Sequence, residues 1–300
     1  MEEKNTNLAQ KIFTLIKTSF SEWFDDGPFD LSAIVSYYAI FSMPGLLIIV
    51  ITIAGLFVGE DAVEGRIQTE ISEIIGKDAG EGVETMIANA YTEGSSTIST
   101  IIGIFILLFA ASGVFAALQR SLNTVWGVKP DAEKYGIKRV IISRIISFGM
   151  ILAIGFLLLI SLILTSLLAF LSKWIQNHLS DILLNIFFVF DFIVSFGIIT
   201  TMFALIYKFL PDVEIKWKSV WIGSVVTAFL FILGKYALTF YFSQTNPASA
   251  YGVAGYVILI LLWISYSCMI LFLGAEFTQV YTRNFLGGIK PKKYAIKIKN

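Results

Sequence analysis

Six stretches of this chain, about 31–58, 97–118, 140–171, 183–207, 219–242 and 251–281, are long and apolar enough to cross a lipid bilayer as helices. A hydrocarbon core of about 30 Å takes about 20 residues of helix and offers the backbone no water to bond. Runs of this kind therefore form helices, which satisfy their own N–H and C=O groups. Composition agrees: 56% of residues are hydrophobic, 15% are charged and the mean hydropathy is +0.78. A soluble domain of this size needs more surface charge. The sequence reads as an all-α integral membrane protein with six transmembrane helices. Met1 to Asp30 lack the uninterrupted apolar stretch of a cleavable signal peptide, so the first apolar segment is expected to be retained.

Lys and Arg in the connections set the orientation. Of 22 such residues, 18 fall in the N-terminal segment, the connections after the second and fourth helices, and the C-terminal tail. Three, Arg66, Lys77 and Lys173, fall on the other side, and Lys235 lies inside an apolar segment. An even number of spans with both termini in the cytoplasm follows, in the cell (inner) membrane. Trp126, Trp174, Trp217 and Trp221 fall near helix ends, where an aromatic belt belongs.

Residues 1–30 form a cytoplasmic segment, 31–281 the membrane domain and 282–300 a basic cytoplasmic tail. Within 7–24, Leu8, Ile12, Leu15, Ile16, Phe20, Trp23 and Phe24 repeat at helical spacing with Lys11 and Lys17 between. This is either an interfacial helix or a helix that docks on the bundle. The outer connection, 59–96, carries nine acidic residues against two basic ones and two helical apolar patterns separated by Gly76 and Gly80. Two short amphipathic helices on the outer face are expected. The basic faces suit anionic lipids; small residues such as Gly113, Ala116 and Ala117 allow close helix approach and leave homo-oligomerisation open.

Ionisable groups inside a bilayer are costly and usually pair or line a pathway. Asp191 lies about 12 Å, and Lys235 about 10 Å, from the outer ends of consecutive helices at 1.5 Å per residue. An Asp191–Lys235 pair is expected. Near the inner face Arg120, with Asn123, is matched in depth to Glu276, and an Arg120–Glu276 pair is expected. The first helix carries Ser32, Ser36, Tyr37, Tyr38 and Ser42 before Pro44. That half should face protein or a wet cavity, with a kink at Pro44. These groups serve either as a polar pathway or as structural pairs.

Several stretches taken together resemble the YihY/BrkB family. They are Ala33–Ser42 with Pro44, Ser112–Asn123 leading to Trp126, Tyr207 to Pro211–Asp212–Val213, and Gly274–Phe277. The resemblance covers about residues 20–285. It implies an inner-membrane protein with about six helices; some members were once labelled ribonuclease BN and others virulence factors. It implies no particular activity.

Hydrolysis of a phosphodiester by metal ions needs clustered carboxylates or histidines. The single His178 is expected outside, and the cytoplasmic connections hold only Asp131, Glu133, Asp212 and Glu214. Zinc-type Cys/His spacing, a phosphate-cradling loop and a base-stacking platform are all missing. No enzyme activity, cofactor, metal or nucleic-acid partner is expected. The reading favours a transporter or channel for an ion or small solute. The alternative is a non-transporting scaffold for envelope assembly.

Overall fold

The computed structural model describes residues 8–90, 112–131, 181–245 and 254–298, with residue 136 and parts of 141–164; the side chains of 8, 89–90, 181–188 and 191 lie outside that description. The chain begins with α1 (Leu8–Asp25), turns at Gly27 in a left-handed conformation (φ 68°), and enters α2 (Pro28–Val58) with Pro28 in the first turn. Only glycine adopts that turn at little cost, and proline at a helix start gives up no hydrogen bond. The helix continues through Pro44 to Val58. Its 31 residues measure about 46 Å, longer than a hydrocarbon core.

Gly59 and Gly76, both at positive φ, separate α2, α3 (Glu60–Ile75) and α4 (Lys77–Ala90). These are the two amphipathic helices expected in the acidic connection. Their apolar faces, with Val63, Ile75, Ala79, Val83 and Ile87 buried, close a core with Ile51, Ala54, Phe242, Leu259 and Ile260. The α3–α4 contact is tight: a Cβ on Gly80 would lie 2.0 Å from Ser72 Oγ. The hairpin thus caps one end of the molecule, the acidic end.

Residues 112–125 are helical (α5), as are the described residues of 141–161 (α6). The remaining helices are α7 (Asp181–Phe209), α8 (Trp217–Thr245) and α9 (Gly255–Phe285). Among the described residues, four helical segments are long and apolar enough to cross a membrane: α2, Phe192–Phe209 of α7, α8 and α9. They match the first, fourth, fifth and sixth expected spans. Much of the second and third lies outside the described residues.

The last helix is the hub, touching α1, α2, α4 and α8. Its contact with α8 is reciprocal. Thr227 of α8 lies over Gly274, and Thr278 of α9 over Gly223, so that a Cβ on either glycine would come within 1.8 Å of a threonine hydroxyl. Beside this contact Tyr207, fully buried, bonds Thr227 Oγ1 at 2.9 Å and donates to Leu271 O at 2.8 Å. Small residues let the backbones approach, and the hydroxyls bond within the seam.

The fold is not purely helical. At the end opposite the hairpin, β1 (Val128–Pro130) pairs antiparallel with β4 (Ala295–Lys297), and β2 (Val213–Glu214) with β3 (Lys290–Pro291). The basic tail thereby folds back over the connections after α5 and α7. This is the basic end.

Candidate functional site

Two polar clusters lie at the basic end. The first is built on Asp212, 1% exposed, in the link between α7 and β2. Gln119 and Asn123 stand one helical turn apart on α5, so their amides share a face. Gln119 Nε2 donates to Oδ1 of Asp212 at 3.1 Å and Asn123 Nδ2 to Oδ2 at 2.9 Å. Asn123 Oδ1 in turn accepts from the Asp212 N–H at 2.8 Å. The tail closes the cluster: Lys292 N–H donates to Asp212 O at 2.9 Å and Lys292 Nζ to Pro211 O at 2.7 Å. A buried carboxylate surrounded by donors is stable there because its lone pairs are met. This cluster ties α5, the α7–β2 link and the tail into one unit.

The second cluster lies where α1 crosses α9. Leu15 and Ser19 of α1 are buried against the bundle, and Trp23 Nε1 donates to Met269 O at 3.2 Å. Ile12, Phe13, Ile16, Phe20 and Phe24 remain exposed on its other faces. The helix therefore both docks on the bundle and presents an apolar surface, which suits an interfacial position. Docking sets Glu22 beside Glu276, a carboxyl of α9 that is 1% exposed. Arg283 Nη2 donates to Glu22 Oε1 at 2.5 Å, while no donor reaches Glu276 Oε2 among the described residues. Two carboxyl groups in such contact share a proton. Arg283 thus pairs with Glu22 rather than with Glu276.

Asp26, one turn beyond Glu22, has its pKa pushed up from 3.8 to about 6, first by burial and then by the neighbouring charges of Glu22 and Asp25. The folded chain binds this proton more tightly than the unfolded one. Its contribution is therefore greatest below the ordinary aspartate range and is lost as pH rises towards about 6. Hydrogen exchange should show α1 protection falling severalfold across that window in the wild type. Asp26→Asn should flatten the profile; an unchanged profile in the variant would remove Asp26 as its source.

The structure sorts the remaining expected residues. Arg120 and Glu276 do not meet: the Arg120 guanidinium is exposed and lies 5.4 Å above the Tyr38 ring, while Glu276 faces Glu22. Depth alone left the direction around each helix undetermined. The polar half of α2 divides by face: Ser32, Ser36 and Ser42 are buried, whereas Tyr37 is 60% exposed. Ser32 Oγ bonds Ser265 Oγ of α9 at 3.0 Å, and Arg144 of α6 donates to Ser112 Oγ of α5. Tyr37 thus turns away from the seam expected to hold it. Pro44 lies within α2 next to Met43, which lines a cavity described below. Lys235 is half-buried on α8; the Asp191 side chain lies outside the described residues, and with it the Asp191–Lys235 pair. Among the described residues no group of three His, Cys, Asp or Glu side chains is arranged to hold a metal ion. Sequence reasoning named Asp212 without a role and did not single out Glu22. A signal for Glu22 existed: it lies on the amphipathic helix near the basic end, at the depth of Arg283.

The family model described as virulence factor BrkB matches residues 19–297. A UPF0761 membrane protein of Verminephrobacter eiseniae (strain EF01-2) is 29% identical over 189 residues, covering 62% of this chain and 42% of the relative. One from Pseudoalteromonas atlantica (strain T6c / ATCC BAA-1087) is 24% identical over 248 residues, covering 82% of this chain and 78% of the relative. One from Enterobacter sp. (strain 638) is 29% identical over 201 residues, covering 65% and 62%. The chain thus spans less than half the length of the first of these, and no solved structure matches it. The matched region contains every residue of the two clusters, from Glu22 to Lys292. With its apolar helices, this chain is a membrane protein that belongs to the virulence factor BrkB family.

Proposed function

We propose that this protein is a six-span inner-membrane transporter whose basic end and termini face the cytoplasm, and that it moves an ion or small solute coupled to a proton carried by Glu276. The observation supporting this reading is the carboxyl of Glu276, buried on α9 and in contact with Glu22 of a helix that docks from the bundle surface. Loss of its proton would place an anion beside Glu22 and Asp26. Repulsion among three carboxylates would loosen α1 from α9 and open the basic end; reprotonation would close it. Ionisable groups buried in membrane helices commonly serve such relays. The reading involves no enzymatic step.

Orientation is tested by labelling. The sequence has one cysteine, Cys268, and it is buried, so added thiols report cleanly. Glu81→Cys in the α4 hairpin should react with an impermeant maleimide in intact cells, and Lys129→Cys in β1 only after permeabilisation. The reverse pattern would invert the protein and overturn the assignment. Transport is tested in proteoliposomes under an imposed pH gradient, with currents recorded on addition of simple ions and a panel of small solutes. Wild type should give a solute-dependent current that Glu276→Gln abolishes; Asp191→Asn, run beside it, tests the other expected pair. Wild-type vesicles with no current for any solute, or Glu276→Gln currents equal to wild type, would reject proton-coupled transport and favour the scaffold reading.

A further inference from the structure

The acidic end holds a second site, independent of Glu276. A cavity of about 510 Å³ opens between α2 and α3, with Phe115 of α5 and Ile154 of α6 on its far wall. Its volume is that of a small-molecule site, roughly 300–1,000 Å³. Along α2 its wall runs from Ala54 through Val50 and Leu47 to Met43, next to Pro44. Those eleven steps of helix measure about 16 Å. Half of a hydrocarbon core is about 15 Å, so this wall is about as long as one leaflet of hydrocarbon is thick.

The α3 wall is unusual in its charges. Val63, Arg66, Ile67, Glu70 and Ile71 all line the cavity and share one helical face. An amphipathic helix ordinarily turns its charges away from an apolar surface. Here Arg66 and Glu70, paired with each other and 37% and 40% exposed, stand at the mouth of an apolar slot. The surrounding connection carries nine acidic residues against two basic ones, which repels a net anionic ligand. One cation and one anion at the mouth match a headgroup bearing one phosphate and one primary ammonium.

We infer that this cavity binds one acyl chain of a zwitterionic aminophospholipid, with the phosphate on Arg66 and the ammonium on Glu70. The bound lipid would replace the Arg66–Glu70 pair by two charge-assisted contacts while its chain fills the slot between α2 and α6.

The test uses the full chain in nanodiscs of equal parts dioleoyl phosphatidylethanolamine and dioleoyl phosphatidylglycerol, followed by native mass spectrometry. One phosphatidylethanolamine should remain bound, in severalfold preference to phosphatidylglycerol. Val50→Trp, which fills the slot, should lose it. Arg66→Gln, which leaves packing intact and keeps the test open if Val50→Trp does not fold, should lose the preference. Leu56→Trp, at a position 80% exposed and outside the cavity, should behave as wild type. Equal retention of both lipids, no retained lipid, or Arg66→Gln with an undiminished preference would overturn the assignment.

Discussion

Asp212→Ala should lower stability by about 2–5 kcal/mol, because two buried amides lose their acceptor and each unmet donor costs about 1–3 kcal/mol. The expected result is a large fall in the thermal midpoint of the detergent-solubilised protein, with early release of the tail to protease. Gln119 and Asn123 both donate to the carboxylate, and Asn123 also accepts from its backbone. Removing the side chain therefore leaves two amide donors without the acceptors they were folded around. Asp212→Asn should fall between wild type and alanine, since its amide retains one acceptor but presents N–H groups to N–H groups. Glu214→Ala, at an exposed position two residues along, supplies the comparison. A midpoint for Asp212→Ala no lower than for Glu214→Ala would show that the cluster is dispensable.

The second large effect is expected at the α8–α9 seam. A Cβ at position 274 would lie 1.8 Å from Thr227 Oγ1, 2.8 Å from Thr227 Cβ and 2.6 Å from the Tyr207 hydroxyl. Overpacking of a tight core costs about 1–3 kcal/mol, occasionally more. Displacing Thr227 would also break its bond to the buried Tyr207. Gly274→Ala should therefore destabilise by roughly 2–4 kcal/mol, with Gly274→Val worse. The mechanism has a signature. In the Gly274→Ala/Thr227→Ala double variant the shortest contact, with Thr227 Oγ1, is removed, so the two costs should be less than additive by about 0.5–3 kcal/mol. Simple additivity would place the cost of Gly274→Ala somewhere other than this contact.

What the sequence made legible follows from which physical signals are one-dimensional. Apolar length needs no partner, and α2, α8, α9 and the second half of α7 fall where hydropathy put them. Helical periodicity located α3 and α4 in an acidic stretch, because the core side of each hairpin helix repeats regularly. Polar composition marked Ser32, Ser36, Tyr37, Tyr38 and Ser42 as one group, but Tyr37, only one residue from Ser36, turns about 100° away on the same helix and is exposed. Depth is one coordinate of a helix position and azimuth is another. Matching Arg120 to Glu276 used the first only, and the second sends Arg120 over Tyr38. Glu22 was missed for a related reason: partners for Glu276 were sought on spanning helices, and its partner stands on a helix beside the membrane domain. The tail strands gave no periodic signal, since pairs of two or three residues are too short to alternate. Asn123 and Asp212 lie 89 residues apart, and only the fold brings their motifs together.

Proton-coupled transport depends most on the proton proposed for Glu276. Infrared difference spectroscopy of the full chain in nanodiscs, titrated from acid to alkaline pH, observes it directly. Wild type should show a buried protonated carboxyl whose band disappears as the proton is released and is absent from Glu276→Gln. Arg283→Gln, which removes the cation paired with Glu22, should broaden the band. Identical carboxyl bands in wild type and Glu276→Gln would mean that Glu276 holds no proton, and proton coupling at this site would fall with it.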